Sequence, residues 1–180
     1  MSPSNRKKKG KIFEEKIAAD LHNFLIEHNP EYNKLFEQLG NDNNLKPKRD
    51  YSSGVFVDSQ GDIDLRIAKQ FFPFSIEAKA WKSLDLSINS LLKGKIKVLE
   101  GFWHDQALPN AERSGLLPLV VFKANRTDDF VFYDKNLVQA IPTRRLFKID
   151  NWIVCLFQDF LVKVNSMVVE KKPPFDKFPK

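Results

Sequence analysis

Asp62, Asp64, Glu77 and Lys79 lie close together in the stretch GDIDLRIAKQFFPFSIEAKAW. Neighbouring carboxylates repel each other unless a cation or a proton lies between them. Their hard oxygen donors suit Mg2+ or Mn2+, which bind one or two carboxylates together with water and phosphate oxygens. A lysine adds little to a closed metal cage, but it can position an anionic substrate and an attacking water. The plainer alternative is a cross-strand salt bridge on a solvated face. Glu-x-Lys by itself says little, because it also occurs at Glu14-Glu15-Lys16 and Glu170-Lys171-Lys172. Only Glu77-Ala78-Lys79 sits in an alternating strand pattern with an acidic residue, Asp64, thirteen positions upstream.

Alternation explains how such charges could coexist with so much apolar sequence. Successive side chains of a strand point to opposite faces. In DIDLRI, Ile63, Leu65 and Ile67 share one face, and Asp62, Asp64 and Arg66 the other. In FPFSIEAKA, Phe72, Phe74, Ile76 and Ala78 oppose Pro73, Ser75, Glu77 and Lys79. Two strands, Asp62–Ala68 and Phe72–Ala80, joined near 69–71, would bring the charged faces together. Pro73 points to an edge or a bulge.

Around this hairpin, Ile12, Phe13, Ile17, Leu21, Phe24 and Leu25 recur at helical spacing from Gly10 to His28. Pro30 closes that helix, and a short one follows over 31–39. YSSGVFV (51–57) reads as a strand and 86–100 as weakly helical. Gly101–Arg113 reads as helical with Pro109 interrupting. LLPLVVFK, FVFY and NWIVCLF read as strands, Pro142–Lys148 as a basic connection, and QDFLVKV as a closing helix or strand. The order of elements predicts an α/β fold with a central mixed β-sheet flanked by helices. Residues 1–9 are expected to be a disordered basic arm, 10–170 a single domain, and 171–180 an irregular tail.

The chain has 180 residues, a net charge of +6 and one cysteine, Cys155. A disulfide framework and a cysteine zinc site are therefore excluded, and a reducing, cytoplasmic compartment is expected. His22, His28 and His104 are too scattered for a histidine metal site. No apolar run approaches the ~20 residues of a membrane span. The positive charge is clustered at Arg6, Lys7, Lys8, Lys9 and Lys11; at Lys46, Lys48 and Arg49; at Lys93, Lys95 and Lys97; and at Arg144, Arg145 and Lys148. Such clusters suit a polyanion such as nucleic acid, or are simply solvated surface.

With Asp64 and Glu77-Ala78-Lys79 in place, the sequence resembles the PD-(D/E)xK nuclease superfamily, with its restriction-endonuclease-like fold; Ile63 stands where the family name has proline. KKKGKIFEEKIAADL resembles the start of archaeal and phage-type Holliday junction resolvases, in which an early helical glutamate completes the active site. That points to Glu14, with Glu15 as its neighbour in an alternative register. FWHDQALPNAERSGLLPLVVFKANR resembles a phage-type nuclease pattern filled by Trp103, Gln106, Pro118 and Lys123.

The resemblance implies a metal-dependent DNA endonuclease, resolvase-like and homodimeric, acting on branched DNA in recombination, repair or phage DNA processing. Asp64 and Glu77 would hold Mg2+ or Mn2+ with the Ala78 carbonyl, and Asp62 is the alternative to Asp64. Glu14 would bind metal directly or through water. Lys79 would orient or deprotonate the attacking water, with Gln106 assisting. Arg6, Lys7, Lys8, Lys9, Lys11, Lys93, Lys95, Lys97 and Lys123 would grip DNA phosphates. A phage-encoded chain would act in the host cytoplasm. The alternatives are a restriction-type or end-processing nuclease and, outside catalysis, a DNA-binding module; the intact acidic pair and lysine argue against the last.

Overall fold

The computed structural model describes residues 3–51, 61–81, 96–124, 127–140, 142 and 146–169. Helix α1 runs Pro3–His28. It therefore begins inside the stretch expected to be a disordered arm, and Arg6 to Lys11 lie on its first turns. Phe13, Ile17, Ala18, Leu21, Phe24 and Leu25 form its buried stripe. Helix α2, Pro30–Gln38, follows at once. The Asn29 side chain caps it by accepting from the Tyr32 N–H at 3.0 Å, and Pro30 occupies the first turn, where no N–H is needed.

Strand β1 (Lys48–Arg49) pairs antiparallel with β2 (Ile63–Asp64). The strand expected over Asp62–Ala68 stops at Asp64, because residues Arg66–Gln70 form a 3-10 turn with Arg66 at φ +52°. Strand β3, Phe74–Ala80, keeps the predicted alternation and lies at one edge of a five-stranded sheet. Its neighbours in order are β4 (Leu117–Lys123), β5 (Asp129–Asp134), β7 (Trp152–Leu156) and β6 (Leu146–Ile149). β3 and β4 are parallel and the other pairs antiparallel, so the sheet is mixed. β6 falls in the segment expected to be a basic connection. The strand read over 51–57 lies, beyond Tyr51, outside the described residues, as does the tail 171–180.

The sheet is covered on both faces. Helix α5, Phe157–Val169, brings Phe160 against Phe72, Phe74 and Tyr133 on the α1 side. On the other side, α3 (Ile96–Phe102) and α4 (Leu108–Ser114) are joined by a wide π turn, Trp103–Ala107. Trp103 is buried there and meets Phe132 and Trp152 edge-on. Pro109 sits in the first turn of α4 and does not break the run. Gly115 ends it at φ +66°. Among the described residues no helix is long and apolar enough to cross a membrane.

Candidate active site

β3 presents Ile76 and Ala78 to the core shared with α1, and Glu77 and Lys79 to the side covered by α3 and α4. The charged face of the strand is thus roofed, and Glu77 is only 4% exposed. The Lys79 ammonium pairs with the Glu77 carboxylate, stands 3.7 Å from Asp62 Oδ2, and lies 5.4 Å from the centre of the Phe102 ring of α3. Asn110 of α4 donates to Glu77 Oε2 at a long 3.4 Å, and its side-chain oxygen Oδ1 accepts from Arg113.

The aspartate that meets this group is Asp62. Its N–H donates to the Ile76 carbonyl at 2.8 Å, and its Oδ2 accepts from the Ala78 N–H at 2.8 Å. Gly61 makes the approach possible. It lies at φ +105°, and a Cβ there would sit 2.6 Å from the Ile76 carbonyl oxygen. Asp64 is engaged elsewhere: Oδ2 pairs with Arg66 Nε at 2.7 Å, and Oδ1 accepts from the Arg66 N–H at 3.2 Å. A short acidic side chain that captures the N–H two residues on favours a turn over a continuing strand. That turn separates Asp64 from the face that Asp62 occupies.

Glu14 comes from α1 and forms an ion pair with Arg49 of β1; both side chains are largely buried. Burial raises the Glu14 carboxyl above its usual range, the hydrogen bond from Arg49 opposes the rise, and the charge of Asp62 adds to it. The neighbouring Glu15 is exposed. β1 pairs with β2, so Arg49 and Asp62 are positioned by the same small sheet. In the sequence Arg49 stands out only as one of a basic cluster, and Asn110 does not stand out. The signal for Asn110 is its place one turn beyond the buried Ala107 and two beyond the buried Trp103.

Of the other expected residues, Gln106 is half-buried within the π turn, and the polar group of this helix that reaches Glu77 is Asn110 instead. Pro118 lies on β4 opposite Ser75. Lys9, Lys11 and Lys97 are exposed, and Lys123 lies 3.2 Å from Asp129. Lys93 and Lys95 fall outside the described residues. His22 is a packing residue, with Nδ1 hydrogen-bonded to the Tyr32 hydroxyl at 2.8 Å.

Burial pushes the Glu77 carboxyl up to about 7; the adjacent Asp62 charge works in the same direction and Lys79 against it. Among the described residues no group of three or more His, Cys, Asp or Glu is disposed to hold a metal ion. The donor chemistry nevertheless fits a hard divalent cation. Two carboxylates press on each other in a nearly buried site, and a cation between them would relieve both the repulsion and the burial of charge. Asp62 and Glu77 would hold it, with Glu14 within electrostatic reach.

No curated protein and no solved structure gives a significant match to the chain. One protein-family model does match, the family described as "Phage putative PDDEXK endonuclease", over residues 5–170. The match runs from the first turn of α1 to past the end of α5, and the helix-flanked mixed sheet is consistent with the restriction-endonuclease-like fold. The chain belongs to this family of phage endonucleases in the PD-(D/E)xK superfamily, nucleases that generally use divalent metals.

Proposed function

We propose that the protein hydrolyses DNA phosphodiester bonds with Mg2+ or Mn2+, at a site made by Asp62, Glu77 and Lys79. The observation that carries this is their convergence on the edge strand β3, with Asp62 fixed by hydrogen bonds to Ile76 and Ala78. Asp62 and Glu77 serve as the carboxylate ligands, with the Ala78 carbonyl and Glu14 completing the oxygen donors. A divalent cation held there makes water more acidic and offsets negative charge on the phosphate. Lys79 orients the attacking water and stabilises the charge that develops on the phosphate oxygens. Asn110 steadies the Glu77 carboxylate. Arg49 holds Glu14 facing the site.

Lys9 and Lys11 precede Glu14 on α1, and phosphate contacts from them would hold the DNA backbone beside the site. The finer reading is a homodimer making paired cuts in branched DNA. It rests on the resolvase-like order of an early helical glutamate, an acidic strand and Glu77-Ala78-Lys79, and on the two-fold character of a four-way junction.

The test uses Asp62→Asn, Asp64→Asn and Lys79→Ala with labelled four-way junction, linear duplex and single strand, in Mg2+, in Mn2+ and in chelator. Asp62→Asn and Lys79→Ala should lose cleavage and keep DNA binding, whereas Asp64→Asn should retain most activity. Symmetric cuts confined to the junction support the finer reading, and broad cutting of duplex or single strand replaces it with an end-processing nuclease. Binding without cutting in either metal would overturn the enzyme.

A further inference from the structure

Beyond the catalytic cluster, a cavity of about 290 Å³ opens between α1 and the carboxyl ends of the parallel strands β3 and β4. Ligands in open α/β sheets commonly bind outside the carboxyl ends of strands. Here Lys9, Ile12, Phe13 and Lys16 line one wall, at the i, i+3, i+4, i+7 spacing that puts them on one face of α1. Trp81 lines the cavity at the end of β3. Its ring is braced by Phe102 at 5.5 Å and Phe122 at 5.9 Å, so its orientation is set before any ligand arrives. Lys123 stands at the end of β4 beside it.

The chemistry of these walls is divided. The interior is aromatic and aliphatic, and the lysines stand around it. Ile12 is 56% exposed, an apolar side chain open to solvent among cations. Lys16 and Lys123 both pair with Asp129, and Lys16 with Asp20 as well, which fixes where their ammonium groups stand on the lining. A flat apolar ring carrying a phosphate on each side matches this arrangement, and aromatic platforms beside cationic grooves are how proteins hold unpaired nucleotides. Trp81, just past the end of β3, follows Lys79 by two residues, roughly 7 Å of extended chain. An occupant of the cavity would therefore be an immediate neighbour of the scissile phosphate.

We propose that this cavity receives a nucleobase of the cleaved strand, so that the enzyme selects DNA with an unpaired nucleotide beside the cut. The proposal rests on the nuclease reading and adds the substrate feature that the site recognises. A base inside a duplex is stacked and out of reach, and extruding it is easiest where it is already unpaired.

An abasic-site scan tests this. Four-way junctions, flapped duplexes and single strands each carry one abasic residue, moved in single steps past the cleavage position. Wild type in Mg2+ should cut about tenfold more slowly when the abasic residue reaches one particular position, as expected for loss of a stacked base. Ile12→Asp, a change at an exposed position, and Trp81→Ala should cut intact substrate about tenfold more slowly and lose the abasic effect. Trp81→Phe should keep the effect, which separates stacking from a folding defect. Cleavage by wild type that is indifferent to every abasic position would overturn the pocket and leave the nuclease reading standing. So would an abasic effect that survives in Ile12→Asp. If wild type cuts nothing, binding decides. A tenfold preference of wild type for intact over abasic oligonucleotide, lost in Ile12→Asp, would keep the pocket and remove the nuclease; no preference would remove both.

Discussion

Replacing Glu77 with Gln in protein stripped of divalent cations should change how stability depends on pH. In the folded chain, burial and the neighbouring Asp62 lift the Glu77 carboxyl from 4.5 to about 7. Between those values the native state keeps a proton that the unfolded chain has released. The stabilisation from this group is therefore fully present below about pH 4.5 and is lost as pH rises through about 7. A rise of that size corresponds to roughly 3 kcal/mol. For a chain of this length, that is about 6–12 °C in melting temperature. The glutamine amide has no proton to titrate in this range, so the Glu77→Gln variant should gain on wild type by about that much between pH 5 and about pH 8. Thermal melts followed by circular dichroism at several pH values in chelator give the difference directly, and titrations of groups remote from Glu77 cancel. Adding Mg2+ at about pH 8 should then raise the wild-type midpoint and leave Glu77→Gln unmoved, since a ligand stabilises only the state that binds it. A difference that stays flat across pH, or shrinks as pH rises, would refute the burial of Glu77 beside Asp62.

Gly61→Ala puts a Cβ 2.6 Å from the Ile76 carbonyl oxygen at φ +105°. It should cost about 2–3 kcal/mol in urea unfolding and abolish cleavage by displacing Asp62. Arg49→Ala removes the partner of a largely buried Glu14, and the denaturant midpoint should fall by the equivalent of about 2 kcal/mol, with Arg49→Lys recovering part of the loss. Tyr133→Phe deletes the hydrogen bond from the buried hydroxyl to the Ala140 carbonyl at 2.9 Å and should cost about 1 kcal/mol with cleavage unchanged.

What could be read from the sequence was what depends on regular geometry. The alternation of Ser75, Glu77 and Lys79 against Phe74, Ile76 and Ala78 held because β3 is a full strand, and the stripe of Phe13, Ile17 and Leu21 held because α1 is a regular helix. Alternation failed after Asp64, where a side-chain hydrogen bond to the Arg66 N–H and a left-handed Arg66 turned the chain. Thirteen-residue spacing would bring Asp64 to Glu77 only along an extended strand; the turn after Asp64 and the close approach at Gly61 bring Asp62 there. Arg49 was hidden because its pairing with Glu14 joins positions far apart in sequence through a two-residue strand. Asn110 was obscured by Pro109, which reads as a break but suits the start of a helix. β6 was masked in the sequence by the basic residues just before it.

The Asp62 carboxylate also has an architectural role. β3 is the outermost strand of the sheet, and an outermost strand offers unpaired backbone groups to any passing chain. Gly61 and Asp62 fill that place: the Asp62 N–H takes the Ile76 carbonyl, and its side chain takes the Ala78 N–H in the way a further strand would. The same residue thus closes the sheet against self-association. Asp62→Ala, inactive on the proposed reading, would uncover the Ala78 N–H and acquire a sticky edge, whereas Asp62→Asn keeps an acceptor there. For trapping a DNA complex, the asparagine variant is the one that should stay dispersed in solution.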